Sequence, residues 1–279
     1  MPIRDDLAEA AAEAAKFAVP PDIHAEDYVF QYLLDAQTDP DRDKVRARIT
    51  EYYFYDGDRS AKQLDALIRQ FHPDAASRRL QLLEFASGYG CVSRHLRRMD
   101  DRYDLVACDL HPQAIDFLGE RLNVAGVQSR SQPAELALDR HFDVVFCLSF
   151  FSHMPDRTFG DWIEALFSTL AQDGLLIFTT HGREAHIDTG YPALQPDGYW
   201  FASGSEQKDI PPDEYGCMVA TPFYVIDRIA RCHGAAVMFF QEAFWWGKQD
   251  VFIVRKVATD FRPRHAAAAR AVPAIPPDA

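Results

Sequence analysis

Beginning at Leu80, short apolar runs alternate with amphipathic stretches of helical period, and the pattern persists to about Arg255. A strand covered on both faces reads as a continuous apolar run. Its parallel neighbour is reached only through a crossover of a dozen or more residues, so the alternation dictates a parallel sheet flanked by helices. Strands are expected at residues 81–85, 105–109, 126–129, 142–148 and 175–180. Helices are expected at 91–99, 112–123 and 159–171, the last stopped by Asp173-Gly174. A further helix, 222–232, precedes strands at 235–241 and 250–255. The link between those two strands is too short for a crossover, which makes them an antiparallel hairpin.

Three segments lie outside this alternation. Residues 1–75 read as a helical cap, with Tyr28, Phe30, Tyr32 and Leu33 close together and a second apolar series at Leu64, Leu67, Ile68 and Phe71. Residues 181–218 are rich in Gly, Pro, Asp and aromatic residues and read as a long irregular insertion in the 76–260 domain, of the kind that serves as a substrate lid. Residues 261–279 are Ala, Pro and Arg without periodicity, a composition that favours disorder. With 279 residues the chain is long enough for one large α/β domain with such additions.

A formal net charge of -13 argues against nucleic acid as a partner, since a phosphate backbone is bound chiefly through Lys and Arg. The five cysteines are scattered, with neither a CxxC pair nor a Cys/His cluster of metal-ligand spacing, which reads as reduced thiols in a cytoplasm and no metal. Asp156 and Asp161 look like residues of a helix start rather than oxygen ligands. No run approaches the ~18 apolar residues of a membrane span. The acidic, Ala-rich start carries Asp5, Asp6, Glu9 and Glu13 and does not read as a signal peptide.

The chemistry starts where Leu80, Leu82 and Leu83 lead into Glu84, the turn Ala86-Ser87-Gly88-Tyr89-Gly90, and a helix opening at Val92. Strand, tight turn and helix N-terminus in that order let the backbone approach a ligand closely, because glycine lacks the Cβ that would block it. Asp109 ends the next strand, where a carboxylate can accept hydrogen bonds from both hydroxyls of a ribose. The alternative is that Asp109 only caps the helix opening near Pro112. Together the turn and Asp109 point to a nucleoside-containing cofactor.

The run Leu82-Leu83-Glu84-Phe85-Ala86-Ser87-Gly88-Tyr89-Gly90 resembles the first motif of class I, Rossmann-like methyltransferases dependent on S-adenosylmethionine (SAM), with Ala86 where the first glycine is usual. Val106-Ala107-Cys108-Asp109-Leu110 resembles their second motif. Residues 142–149 and 174–180 resemble their fourth and fifth strands, and the hairpin ending Gln249-Asp250-Val251-Phe252 is typical of them. The resemblance implies a seven-stranded, mostly parallel sheet with an antiparallel last strand. It also implies SAM contacts from Glu84, Ala86, Ser87, Gly88, Gly90, Asp109, Leu110, Leu148 and Ser149, and an adenine face at Ser131 and Gln132. Ser149-Phe150-Phe151-Ser152-His153-Met154-Pro155 and Thr179-Thr180-His181-Gly182 resemble a bacterial subgroup that acts on small molecules in glycan and secondary-metabolite pathways.

Methyl transfer from a sulfonium is an in-line displacement, so an alcohol acceptor needs alignment and a general base. His153 and His181 follow the fourth and fifth strands and are the candidate bases; the alternative for His153 is a hydrogen bond to loop backbone. Arg59 is a candidate partner for the SAM carboxylate, or else a solvated charge. Tyr199, Trp200, Phe201, Trp245 and Trp246 either stack on a ring-bearing substrate or pack between cap and core. The expected acceptor is a small molecule, a hydroxyl of a saccharide or of a carrier-linked natural product. A nicotinamide oxidoreductase is the rival on the same scaffold, but the frame Gly88-Tyr89-Gly90-Cys91-Val92-Ser93 ends in Ser where its fingerprint needs Gly. A non-catalytic SAM-binding regulator is the other.

Overall fold

A computed structural model describes residues 2–190, 193–204, 207 and 209–259. The tail expected at 261–279 therefore lies outside the described residues, as does Tyr191 of the insertion.

Three helices open the chain: α1 (Ala10–Phe17), α2 (Tyr28–Asp35) and α3 (Arg42–Phe71). Asp27 caps α2 by accepting from Phe30 N, and Asp41 caps α3 by accepting from Lys44 N. Then come β1 (Leu80–Phe85), α4 (Ser93–Leu96), β2 (Tyr103–Asp109), α5 (Pro112–Leu122), β3 (Ala125–Gln128), β4 (Phe142–Cys147), α6 (Asp156–Ser168) and β5 (Leu170–His181). The insertion contributes α7 (Arg183–Thr189), β6 (Tyr199–Ala202) and β7 (Cys217–Ala220). It is followed by α8 (Pro222–Ile229), β8 (Ala235–Trp245) and β9 (Gln249–Lys256).

Seven strands form one sheet in the order β3-β2-β1-β4-β5-β9-β8. The pairs from β3 through β5 are parallel, and β9 runs antiparallel between β5 and β8. This is the class I, Rossmann-like methyltransferase architecture that the motifs imply. Successive residues on the central strands serve opposite faces. Leu83, Val145, Phe178 and Phe252 pack against α6 and α8. Leu82, Val144, Ile177 and Ile253 pack against α3 and α5. A smaller cluster, including Phe30, Val45 and Tyr53, joins α1, α2 and α3.

Two local expectations change. Asp173-Gly174 does not stop α6, which ends at Ser168; Asp173 instead sits at φ 65° inside β5, where the pairing with β4 slips between Phe142 and Val144. That is a bulge, which lets β5 start five residues early. The insertion is also less irregular than its composition suggests, because β6 and β7 pair antiparallel across its ends.

The cap is bolted to the sheet rather than laid on it. A Cβ on Gly57, midway along α3, would overlap the Cys91 carbonyl, so α3 presses directly on the chain just after the β1 turn. Arg94 is buried beside it and donates to the carbonyls of Gly90, Pro20 and Asp22, with its guanidinium over the rings of Tyr53 and Phe54. Among the described residues no helix is long and apolar enough to cross a membrane.

Candidate active site

The C-terminal ends of β1, β2, β4 and β5 open onto a cavity of about 800 Å³, walled on the far side by α2, α3 and the insertion. Ligand sites of open α/β sheets form at this edge.

The β1 turn makes its floor. Ala86, Gly88 and Gly90 all have left-handed backbone, at φ 56°, 54° and 79°. The two glycines meet different needs. A Cβ on Gly88 would point into open space, whereas one on Gly90 would lie 2.5 Å from Leu122 Cδ1 and 2.8 Å from Leu118 Cδ2. Gly88 thus faces the cavity while Gly90 lets α5 close on the turn. Ala86 carries the strain its neighbours avoid, on the order of 1–2 kcal/mol for a residue with a Cβ in this region.

Asp109 closes β2 beside that turn. Its Oδ2 accepts from Gly88 N at 2.8 Å, and its Oδ1 accepts from His111 N at 3.0 Å and lies 3.0 Å from His111 Nδ1. His111 Nε2 lies 2.8 Å from Asp209 Oδ2 in the insertion. The hydrogen bond to Asp109 holds the imidazole above its ordinary range, despite burial. The carboxylate is thereby fixed at the cavity wall. Leu110, Ser131 and Gln132 continue the same wall beyond β2 and β3.

Other candidate residues stand behind that wall. Glu84 is buried, accepts from Ser93 Oγ at 2.6 Å, and is pushed by burial up to about 7. Glu84, Gly90 and Leu148 support the lining residues without being among them. Arg59 is exposed on α3 and outside the lining, although helical spacing places it on the same face as Asp56 and Tyr52, three and seven positions back, which do line the cavity. Of the five aromatic candidates, only Trp246 lines the cavity, donating Nε1–H to Asp56 Oδ1 at 2.6 Å. Trp245 is buried and donates to Ser60 Oγ, and Tyr199 donates to the Met154 carbonyl while stacking on Tyr224.

At the β4 and β5 end, Ser149 and both candidate bases line the cavity. His153 Nδ1 is 2.6 Å from the Gly216 carbonyl oxygen, and Gly216 N donates to the His153 carbonyl. Because a carbonyl only accepts, Nδ1 carries the proton, which in a neutral ring leaves the lone pair on Nε2. Tyr215 stacks on the imidazole at 4.3 Å. Loop-backbone bonding and cavity placement therefore coexist at His153. The His181 ring is 6.4 Å away, and burial lowers it to about 4, so it is neutral near pH 7.

Sequence reading did not single out Asp56, Thr179, Tyr215 or Gln249. The available signal was polarity inside otherwise apolar strands, at Thr179-Thr180 in β5 and Gln249-Asp250 opening β9. Among the described residues, no group of three or more His, Cys, Asp or Glu side chains is placed to hold a metal ion.

Comparison with known proteins agrees with this geometry. Residues 83–176, from β1 into β5, match the family model described as a methyltransferase domain. Residues 83–176 thus match a methyltransferase domain, on a sheet of the class I, Rossmann-like strand order. The domain is 26% identical over 125 residues to the malonyl-[acyl-carrier protein] O-methyltransferase of Bacillus cereus, a match that spans 44% of this chain and 45% of that enzyme. The corresponding enzyme of Bacillus anthracis is 29% identical over 111 residues, 39% of this chain and 40% of its own. The matched stretch is thus less than half the length of these curated relatives. Among solved structures, the fold is shared with a SAM-bound amino pentose methyltransferase from Micromonospora echinaspora, at TM-score 0.51 and 15% identity over 84% of this chain and 98% of that one.

 The fold is shared as well with a SAM-dependent methyltransferase from Clostridium acetobutylicum, at TM-score 0.52 and 12% identity over 83% of this chain and 97% of that one. At these identities the two structures speak for the fold alone.

Proposed function

We propose that this protein is a SAM-dependent methyltransferase that methylates an oxygen of a small-molecule acceptor. The observation that carries the reading is the Asp109 carboxylate, bound to Gly88 N at the floor of the cavity and facing the same space as the β4 and β5 ends. The residues suit the cofactor. Gly88 leaves open space above the turn, Asp109 offers acceptors for a ribose, and Leu110, Ser131 and Gln132 continue the wall where an adenine would lie. The ~800 Å³ cavity is at the upper end of the usual 300–1,000 Å³ range, which leaves room for an acceptor beside the cofactor.

When bound, SAM supplies an electrophilic methyl group on a sulfonium. The chain's part is to align an acceptor with it, exclude water and take up a proton. His153 is the base in this reading: its Nδ1 proton is held by the Gly216 carbonyl, which directs Nε2 to act as the proton acceptor. His181, lowered to about 4, serves as a neutral neighbour rather than a base at pH 7. The described residues of the cap cover the cofactor, and the insertion residues that line the cavity, Ile210 and Tyr215 among them, close over the acceptor.

A relative that acts on a carrier-bound malonyl group supports a small acceptor such as a carrier-linked metabolite. The net charge of -13 supports neither DNA nor RNA as substrate. Calorimetry with SAM and S-adenosylhomocysteine (SAH) tests the reading. The unmodified chain is expected to bind both and Asp109→Ala to bind them at least tenfold more weakly; a chain that binds neither ligand refutes it.

A further inference from the structure

Three polar side chains at the sheet edge form a closed ring. Ser149 N donates to Thr179 Oγ1 at 2.8 Å, Thr179 Oγ1 donates to Gln249 Oε1 at 2.6 Å, and Gln249 Nε2 donates to Ser149 Oγ at 2.8 Å. The ring joins the ends of β4, β5 and β9. Thr179 and Gln249 are buried, and Ser149 sits at φ 62°, a left-handed conformation that costs a residue with a Cβ on the order of 1–2 kcal/mol. Such strain persists only where surrounding bonds over-determine it, and it gathers at ligand sites.

Donor and acceptor accounting gives the ring a direction. A serine hydroxyl has one proton and two lone pairs. Ser149 Oγ already accepts from Gln249, and among the described residues its proton has no protein acceptor, while the side chain lines the cavity. The proton is therefore available to a ligand. With ribose at Asp109 on β2 and adenine beyond β3, the amino-acid end of the cofactor extends the other way along the sheet order, over β1 and β4. Ser149 lies just past the end of β4. Arg59, the sequence candidate for the carboxylate there, is exposed and outside the cavity lining.

We propose that the Ser149 hydroxyl donates to the carboxylate of the cofactor's amino-acid end, and that Thr179 is the positioning residue that aims it. The inference rests on the SAM-binding reading above. Thr179 does not line the cavity, so any effect of changing it on a ligand passes through the ring.

The test is calorimetry with two thioether nucleosides: SAH, which carries the amino-acid end, and 5′-methylthioadenosine, which lacks it. Thr179→Val keeps the shape and removes both ring bonds of the hydroxyl; it is expected to weaken SAH about tenfold, the loss of roughly one net hydrogen bond, and methylthioadenosine less than twofold. Thr179→Ser, which restores the hydroxyl, is expected to recover SAH affinity to within threefold. Retained methylthioadenosine binding also shows that the Val variant is folded. Unchanged SAH affinity in Thr179→Val, or an equal loss for both nucleosides, overturns the proposal while leaving the methyltransferase reading intact. An unmodified chain that binds neither nucleoside overturns both.

Discussion

Gly88 and Gly90 are two residues apart in one turn, both left-handed, yet substituting alanine at each is expected to do different damage. At Gly88 the added methyl meets nothing within 4 Å, so the cost is backbone strain alone. That strain is about 1–2 kcal/mol, partly offset by the ~0.4–1 kcal/mol that alanine gains by narrowing the unfolded ensemble. The net loss is about 1 kcal/mol. At Gly90 the same strain is joined by collisions with Leu118 and Leu122, and overpacking of a core costs about 1–3 kcal/mol more. The net is roughly 2–4 kcal/mol. At about 2–4 °C per kcal/mol for a chain of this size, thermal unfolding should fall by a few degrees for Gly88→Ala and by roughly 5–15 °C for Gly90→Ala. Ligand binding should rank the other way. The Gly88 methyl enters the cavity and weakens SAH, whereas Gly90→Ala, assayed well below its unfolding temperature, keeps most of its affinity. Equal unfolding shifts, or a larger shift at Gly88, would refute the division of labour within the turn.

Three further outcomes follow from the site. Glu84 titrates at about 7 when folded, above its ordinary 4.5, so its contribution to stability is complete below about 4.5 and is lost as pH rises through 7. Glu84→Gln should therefore gain on the unmodified chain by up to ~3 kcal/mol between pH 5 and pH 8 in denaturant titrations of the ligand-free protein, and parallel curves would contradict this. His153→Ala should lower methyl transfer by about 10²–10⁴-fold with SAH affinity kept, measured as SAH release once an acceptor is in hand; an unaffected rate would remove His153 as the base. Trp246→Phe strips Asp56 of its indole donor and leaves a half-satisfied carboxylate, which should cost about 1–3 kcal/mol in thermal unfolding.

The sheet was legible because its strands are apolar throughout. Leu82-Leu83 or Val144-Val145 can only be buried on both faces, and strand existence follows from that without any tertiary information. The cofactor edge was legible for a related reason: Gly88 and Asp109 sit at strand ends that the apolar pattern had already located. What escaped was whatever depends on which way a residue turns. Arg59 and Asp56 lie three positions apart on one face of α3, and only tertiary packing, with Gly57 pressed against the Cys91 carbonyl, puts Asp56 in the cavity wall and leaves Arg59 exposed outside it. The Ser149, Thr179 and Gln249 ring was hidden because its members are 30 and 70 residues apart in sequence and meet only through strand order. The bulge at Asp173 was misread as a helix stop because Asp-Gly serves either purpose, and pairing with β4 selects the bulge.

The bolting of the cap by Arg94 sets what it would cost to move the cap away from the sheet. Swinging the cap away would break the Arg94 bonds to Pro20 and Asp22, each a charge-assisted bond of about 1.5–3 kcal/mol, and would lift two aromatic rings from the guanidinium. The insertion is tied to the cavity rim as well, through Asp209 on His111, Gly216 on His153 and Asp213 on Arg157. The part of the cavity wall that the cap supplies, Tyr28 and Asp56 among it, is therefore held by a residue, Arg94, that does not itself line the cavity.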